Sequence, residues 1–249
     1  MPIVKDIPYG SEPRQLYDVY TPENLADGYP TIFHFHGGSL TGGSRTEHKY
    51  IHDLVARGYL YVDCEYRLLP SVTVEDILRD AAAAVATAYR ALPTEKQHGK
   101  LFISGDSAGG YIAMMLAYCR KYLTDAGLDP DKIDGFVFDD PMPIPNFSAV
   151  TEDPAHYVTD FLEMPTCPLY HLDPAVSYPP VLFLTYGKSI HGFPEFTHLA
   201  VGTLLRLGYG DRVHLEYFPG YSHCGNFGAP DIEGMVPHAY YSHKFYSAI

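Results

Sequence analysis

LFISGDSAGG, residues 101–110, is a short apolar run that meets a glycine-flanked serine and continues into an apolar, alanine-containing segment. Leu101 to Ser104 predicts a strand, and Ala108 to Leu123 predicts a helix. G-x-S-x-G between a strand and a helix is the pattern of a sharp turn that presents a serine oxygen at the carboxyl edge of a sheet. Glycines at 105 and 109 permit such a turn without a side-chain clash. The helix N-terminus that follows favours negative charge. Ser107 is therefore read as a nucleophile.

Outward from this turn, strands and helices alternate. Strands are expected at 31–36 (TIFHFH), 59–65 (YLYVDCE), 135–139 (GFVFD), 181–185 (VLFLT) and 213–218 (VHLEYF). Helices are expected at 74–92, ended by Pro93, and at 195–207 and 231–247. Ile3–Pro8 and Leu16–Tyr20 read as an antiparallel edge hairpin. Strands alternating with helices imply right-handed crossovers and a mostly parallel central sheet with helices on both faces, the α/β class. The 249 residues are expected to form a single domain. One segment breaks the rhythm: 141–180 is proline-rich without a clear long helix, and it is read as a lid or binding-loop insertion.

Two further stretches complete a chemical pattern. His36-Gly37-Gly38-Ser39 follows the first strong strand. Backbone N–H groups at Gly37 and Gly38, with that of Ala108 after the nucleophile, can bind the oxyanion of an acyl-transfer intermediate. Near the end, Gly220-Tyr221-Ser222-His223-Cys224-Gly225 follows the last strand. The order serine, acid, histidine selects His223 among thirteen histidines as the general base.

These stretches resemble the hormone-sensitive-lipase-like esterases and acetyl esterases of the α/β-hydrolase superfamily. HGGS at 36–39, EYRLLP at 65–70, GDSAGG at 105–110 and GYSHCGNF at 220–227 carry the resemblance, which extends over roughly residues 15–245. It implies an α/β-hydrolase fold and a serine that forms an acyl-enzyme. The chain departs from the group in two ways. Only 35 residues precede His36, so a large N-terminal cap is not expected, and Ser39 replaces the third glycine of H-G-G-G. Both departures favour a compact esterase over a true lipase.

The third triad member is the point of failure. The group's pattern places an aspartate after the VLFLTYG strand, and the Phe193-Pro194 pair puts Ile190 there instead. Isoleucine cannot orient an imidazole. Asp140, at the end of the preceding strand and followed by Pro141, is the first candidate; Glu195 and Asp139 are the others, and a site with no acid remains open.

Composition narrows the function. A net charge of −13 disfavours nucleic-acid backbones. No apolar run reaches the length of a membrane span, and residues 1–10 lack the pattern of a secretory signal. Cys64, Cys119, Cys167 and Cys224 have no CxxC spacing and read as free thiols of a cytoplasmic protein. His34 with His36, and His48 with His52, are read as ordinary buried or surface residues, so neither a metal nor a cofactor is expected. Arg67 is read as structural, and Asp129, Asp131 and Asp134 as a plain turn. The aromatic tail at 239–246 is expected to pack on the sheet, with a homodimer contact as its alternative. The reading is a serine hydrolase of small carboxylic esters. Its rivals are a peptidase or amidase on the same fold, and an impaired homologue that only binds its ligand.

Overall fold

The computed structural model describes residues 1–92, 98–145, 162 and 164–249. Its strands are β1 (Ile3–Pro8), β2 (Leu16–Tyr20), β3 (Tyr29–Phe35), β4 (Leu60–Cys64), β5 (His98–Asp106), β6 (Gly135–Asp139), β7 (Val181–Lys188) and β8 (Val213–Ser222). They form one sheet in the order β1-β2-β4-β3-β5-β6-β7-β8. β1 and β2 pair antiparallel, as does β2 with β4; every other pair is parallel. This is the α/β-hydrolase architecture, and the hairpin sits at one edge as expected.

The described helices are α1 (Lys49–Val55), α2 (Val74–Ala91), α3 (Ala108–Tyr118), α4 (Lys121–Asp125), α5 (Phe193–Arg206) and α6 (Pro237–Ala248). Period-two alternation on the inner strands sends side chains to two cores. Phe33, Phe35, Ile103 and Phe183 join α2, α3 and α5 on one face. Ile32, Phe102, Leu182 and Leu184 join α1 and α6 on the other. α3 is buried on all sides, which suits its uniformly apolar sequence. The aromatic tail packs as expected, with the Tyr246 ring 4.3 Å from that of Phe102. No described helix is long and apolar enough to cross a membrane.

Two helix boundaries differ from the sequence reading. The helix expected at 108–123 is two helices, because Cys119 leaves helical geometry (φ −92°, ψ 69°) and the chain turns outward at Arg120, which pairs with Asp131 at 2.6 Å. The helix expected at 231–247 starts only at Pro237, whose ring suits a first turn but not a helix interior. Residues 231–236 instead make a turn, with Glu233 and Gly234 at positive φ and Ile232 bridging Met235.

Much of the expected lid, 146–161 and 163, with Tyr157, lies outside the described residues. The rest of 141–180 contributes to the core: Met142, Ile144, Cys167 and Tyr178 are all buried. Tyr178 packs edge-on against Tyr118. Tyr170 is half exposed.

Candidate active site

β5 ends at Asp106 and α3 begins at Ala108, so Ser107 alone makes the turn, at φ 53° and ψ −114°. Such a conformation costs a non-glycine residue on the order of 1–3 kcal/mol and persists only where its surroundings impose it. Three backbone bonds impose it here. Ser107 N donates to Asp139 O at 2.8 Å, and Ser107 O accepts from Met142 N at 2.9 Å and Tyr111 N at 3.0 Å. The flanking glycines are steric necessities. A Cβ on Gly105 would lie 2.3 Å from Gly109 C, and one on Gly109 would lie 1.9 Å from Phe35 O. As the first amide of α3, Ala108 N–H has no carbonyl one turn earlier to bond.

The 36–43 loop lies against this turn. A Cβ on Gly37 would stand 2.5 Å from Asp106 Oδ2 and 3.1 Å from Ser107 Cβ. Gly38 adopts φ 121°, and its carbonyl accepts from Thr41 N and Gly42 N. The EYRLLP stretch is the support of this loop. The His36 ring stacks on Tyr66 at 4.4 Å, its Nε2 bonds Glu65 Oε1 at 2.7 Å, and Tyr66 OH donates to His36 O at 2.7 Å. Burial pushes the Glu65 carboxyl up, but the His36 bond and Arg14 outweigh it and hold the group below the usual range. Arg67 grips buried Asp80 through two bonds of 2.7 and 2.8 Å, the structural role expected of it.

His223 follows the last residue of β8. Its Nδ1–H donates to Asp140 Oδ2 at 2.5 Å, and Phe193 packs edge-on against its ring. That bond fixes the tautomer and leaves Nε2 as the basic nitrogen. Asp140 is fully buried just past β6, at φ 45°, with its own N–H on Leu184 O at 2.8 Å. Ser107, His223, Gly37, Gly38 and Ile190 line one cleft of about 490 Å³. Of the acid candidates, Asp140 meets the imidazole. Glu195 does not: its Oε2 accepts from Gly192 N at 2.9 Å and caps α5.

Asp139 points to the opposite face of the sheet. Its carboxylate accepts from His238 Nδ1 at 2.6 Å and Tyr186 OH at 2.7 Å, all three side chains being buried. Burial raises its pKa, with the His238 bond opposing. This pair is structural. Asp139→Ala is expected to cost about 3–5 kcal/mol, because it leaves a buried partner uncompensated. A thermal melt should then show Tm lower by roughly 10 °C. An unchanged Tm would contradict this role.

The other histidines singled out in the sequence, His34, His48 and His52, have local partners. His34 bonds Ser104 Oγ at 2.9 Å and Asp106 Oδ1 at 3.1 Å; His48 stacks on Tyr50; His52 pairs with Glu47 at 2.9 Å. Asp129 accepts from Asp131 N in a turn. Sequence reasoning missed Ser189, whose Oγ donates to Asp140 Oδ2 and lies 3.4 Å from His223 Nδ1. It also missed the part Glu65 and Tyr66 play beneath the glycine loop.

The sequence pattern of the BD-FAE family matches residues 17–166. Kynurenine formamidase of Danio rerio is 26% identical over 113 residues, which is 45% of this chain and 37% of that protein; the chain thus matches well under half of that relative's length. Esterase B from Lactobacillus rhamnosis superposes with a TM-score of 0.73 at 17% identity, covering 99% of this chain and 85% of the other. A hyperthermophilic esterase from the archaeon Pyrobaculum calidifontis gives 0.71 at 23% identity, covering 99% and 86%. At these identities the superpositions establish the fold.

Proposed function

Since the chain belongs to the BD-FAE family of esterase-like α/β-hydrolases, we propose that it hydrolyses small carboxylic esters through a serine-bound acyl-enzyme. One observation carries the reading: the buried Asp140 carboxylate sits 2.5 Å from Nδ1 of His223, and His223 lines the same cleft as Ser107. Ser107 Oγ attacks the ester carbonyl while His223 Nε2 takes its proton. The carbonyl oxygen becomes an anion, held by backbone N–H groups of the 37–38 loop and of Ala108. Collapse breaks the bond to the alkoxy oxygen, and His223 returns the proton to the leaving alcohol. Water, deprotonated by His223, then releases the acid and restores Ser107. Throughout, Asp140 holds the imidazole tautomer and stabilises the imidazolium. No step calls for a metal or an organic cofactor.

The acyl side is expected to be short. Ile190 is the one large aliphatic side chain among the described residues of the cleft, whose other walls are glycine backbone and polar groups. A panel of p-nitrophenyl esters should give its highest kcat/KM at roughly two to six acyl carbons. A maximum at long chains, above all on emulsified substrate, would contradict this. The panel, run beside Ser107→Ala and with labelling by a fluorophosphonate, tests the proposal itself. An inert serine would favour a ligand-binding homologue, a reading prompted by Ile190 and weakened by Asp140. The likeness to a formamidase favours a second reading, an amidase. Comparable kcat/KM on an ester and its matched amide would support that one.

A further inference from the structure

We infer that Ser189 is a positioning residue for the Asp140–His223 pair, taking up at the end of β7 the orienting task for which this chain has no acid at Ile190. The inference rests on the reading of Asp140 as the triad acid and goes one step beyond it.

Register brings the three residues together. Lys188 on β7 pairs with Ser222 on β8, so the next residues, Ser189 and His223, leave the sheet side by side. Asp139 on β6 pairs with Leu184 on β7, and Asp140 N–H bonds Leu184 O, which turns the Asp140 carboxyl toward the same place. The bond from Ser189 N to Tyr186 O, at 3.2 Å, fixes the start of the turn.

The hydrogen bonding around Asp140 is lopsided. Oδ1 is buried and has no partner among the described residues, whereas Oδ2 receives both the Ser189 hydroxyl and His223 Nδ1–H. A buried carboxylate is ordinarily satisfied on both oxygens, so the two donors on Oδ2 are what hold its rotation. Of these two, the imidazole is the group that must be oriented, and so it cannot also be the fixed reference. Ser189 provides that reference. Its Oγ stands 3.4 Å from His223 Nδ1, in contact with the same ring nitrogen that bonds Oδ2. Ile190, one residue on, faces the cleft and leaves this corner to the smaller hydroxyl.

The test is a double-mutant cycle read by steady-state kinetics on p-nitrophenyl acetate, with thermal melts to establish folding. Ser189→Ala is expected to lower kcat roughly ten- to hundredfold, the worth of a hydrogen bond to a charged group, with KM changed less than about twofold. Ser189→Thr, which keeps the hydroxyl, should recover most of the loss. In an Asp140→Ala background, measured at high enzyme concentration, Ser189→Ala should cost nothing further, because the carboxylate through which it acts is gone. An equal loss in both backgrounds, a loss in KM alone, or full activity of Ser189→Ala would overturn the inference while leaving Asp140 in its role. Near-full activity of Asp140→Ala by itself would overturn the acid assignment and this inference with it.

Discussion

Ser107→Ala is expected to lower kcat/KM for p-nitrophenyl acetate by about 10⁴-fold or more, and His223→Ala by a similar amount. The two losses should not add. Nucleophile and base act as one unit, so the double variant should be about as inactive as either single one. The effect is large because nothing else in the described cleft replaces either group. Cys224 comes nearest, with Sγ 3.8 Å from His223 Nε2, but burial holds its thiol well above the usual range, so it remains protonated and a poor nucleophile. Alanine at 107 also leaves the backbone of the turn intact. Its three bonds involve Ser107 N and O rather than Oγ, and alanine pays only the positive-φ strain that serine already bears. The variant should therefore melt close to the parent and fail to react with a fluorophosphonate. Retention of more than a tenth of the parent activity would exclude Ser107 as the nucleophile.

The parts of this molecule that were legible in its sequence are those specified by neighbours along the chain. The edge hairpin Ile3–Pro8 and Leu16–Tyr20 appears with those bounds. α2 carries a local start signal, with Asp76 N on Thr73 Oγ1 and Thr73 N on Asp76 Oδ2. The serine turn needs only two glycines and a strand-to-helix change. Boundaries failed where a local pattern ran past a break set elsewhere. The apolar run through Leu123 hides the stop at Cys119, and the aromatic tail hides the requirement that Pro237 come first in its helix. The site failed in a different way. Asp140 could be named because Asp-Pro ends a strand at the active edge, but its choice over Asp139 depends on which face each carboxyl takes. That is visible only once Tyr186 and His238 claim the latter. Glu65 and Tyr66 form part of a sequence motif whose task is not legible along the chain, since the stacking of Tyr66 on His36 joins residues thirty positions apart. Ser189 carries no signal at all along the chain. Its importance comes from the pairing of Lys188 with Ser222.

Asp140→Asn should leave the fold intact and lower turnover by up to about 10⁴-fold. The change is nearly isosteric, and the Asp140 backbone is held independently by its bond to Leu184 O. What changes is the imidazole. An aspartate accepts from His223 Nδ1–H and leaves Nε2 free to take the serine proton. An asparagine can turn its NH₂ toward Nδ1, which places the ring proton on Nε2 and makes it useless as a base. It also withdraws the negative charge that stabilises the imidazolium formed in each half-reaction. The loss should fall on kcat, since Asp140 is fully buried and does not line the cleft. Glu195→Gln is the matched control. Glutamine keeps an oxygen to accept from Gly192 N, so helix α5 retains its cap and activity should stay within about twofold. The two variants measured side by side decide between the carboxylates. Loss in Asp140→Asn alone places the acid at the end of β6. Loss in Glu195→Gln alone would move it to α5, against the distances. Near-full activity in both would reduce the machinery to a serine–histidine dyad, and the 2.5 Å bond from His223 to Asp140 would then have no part in turnover.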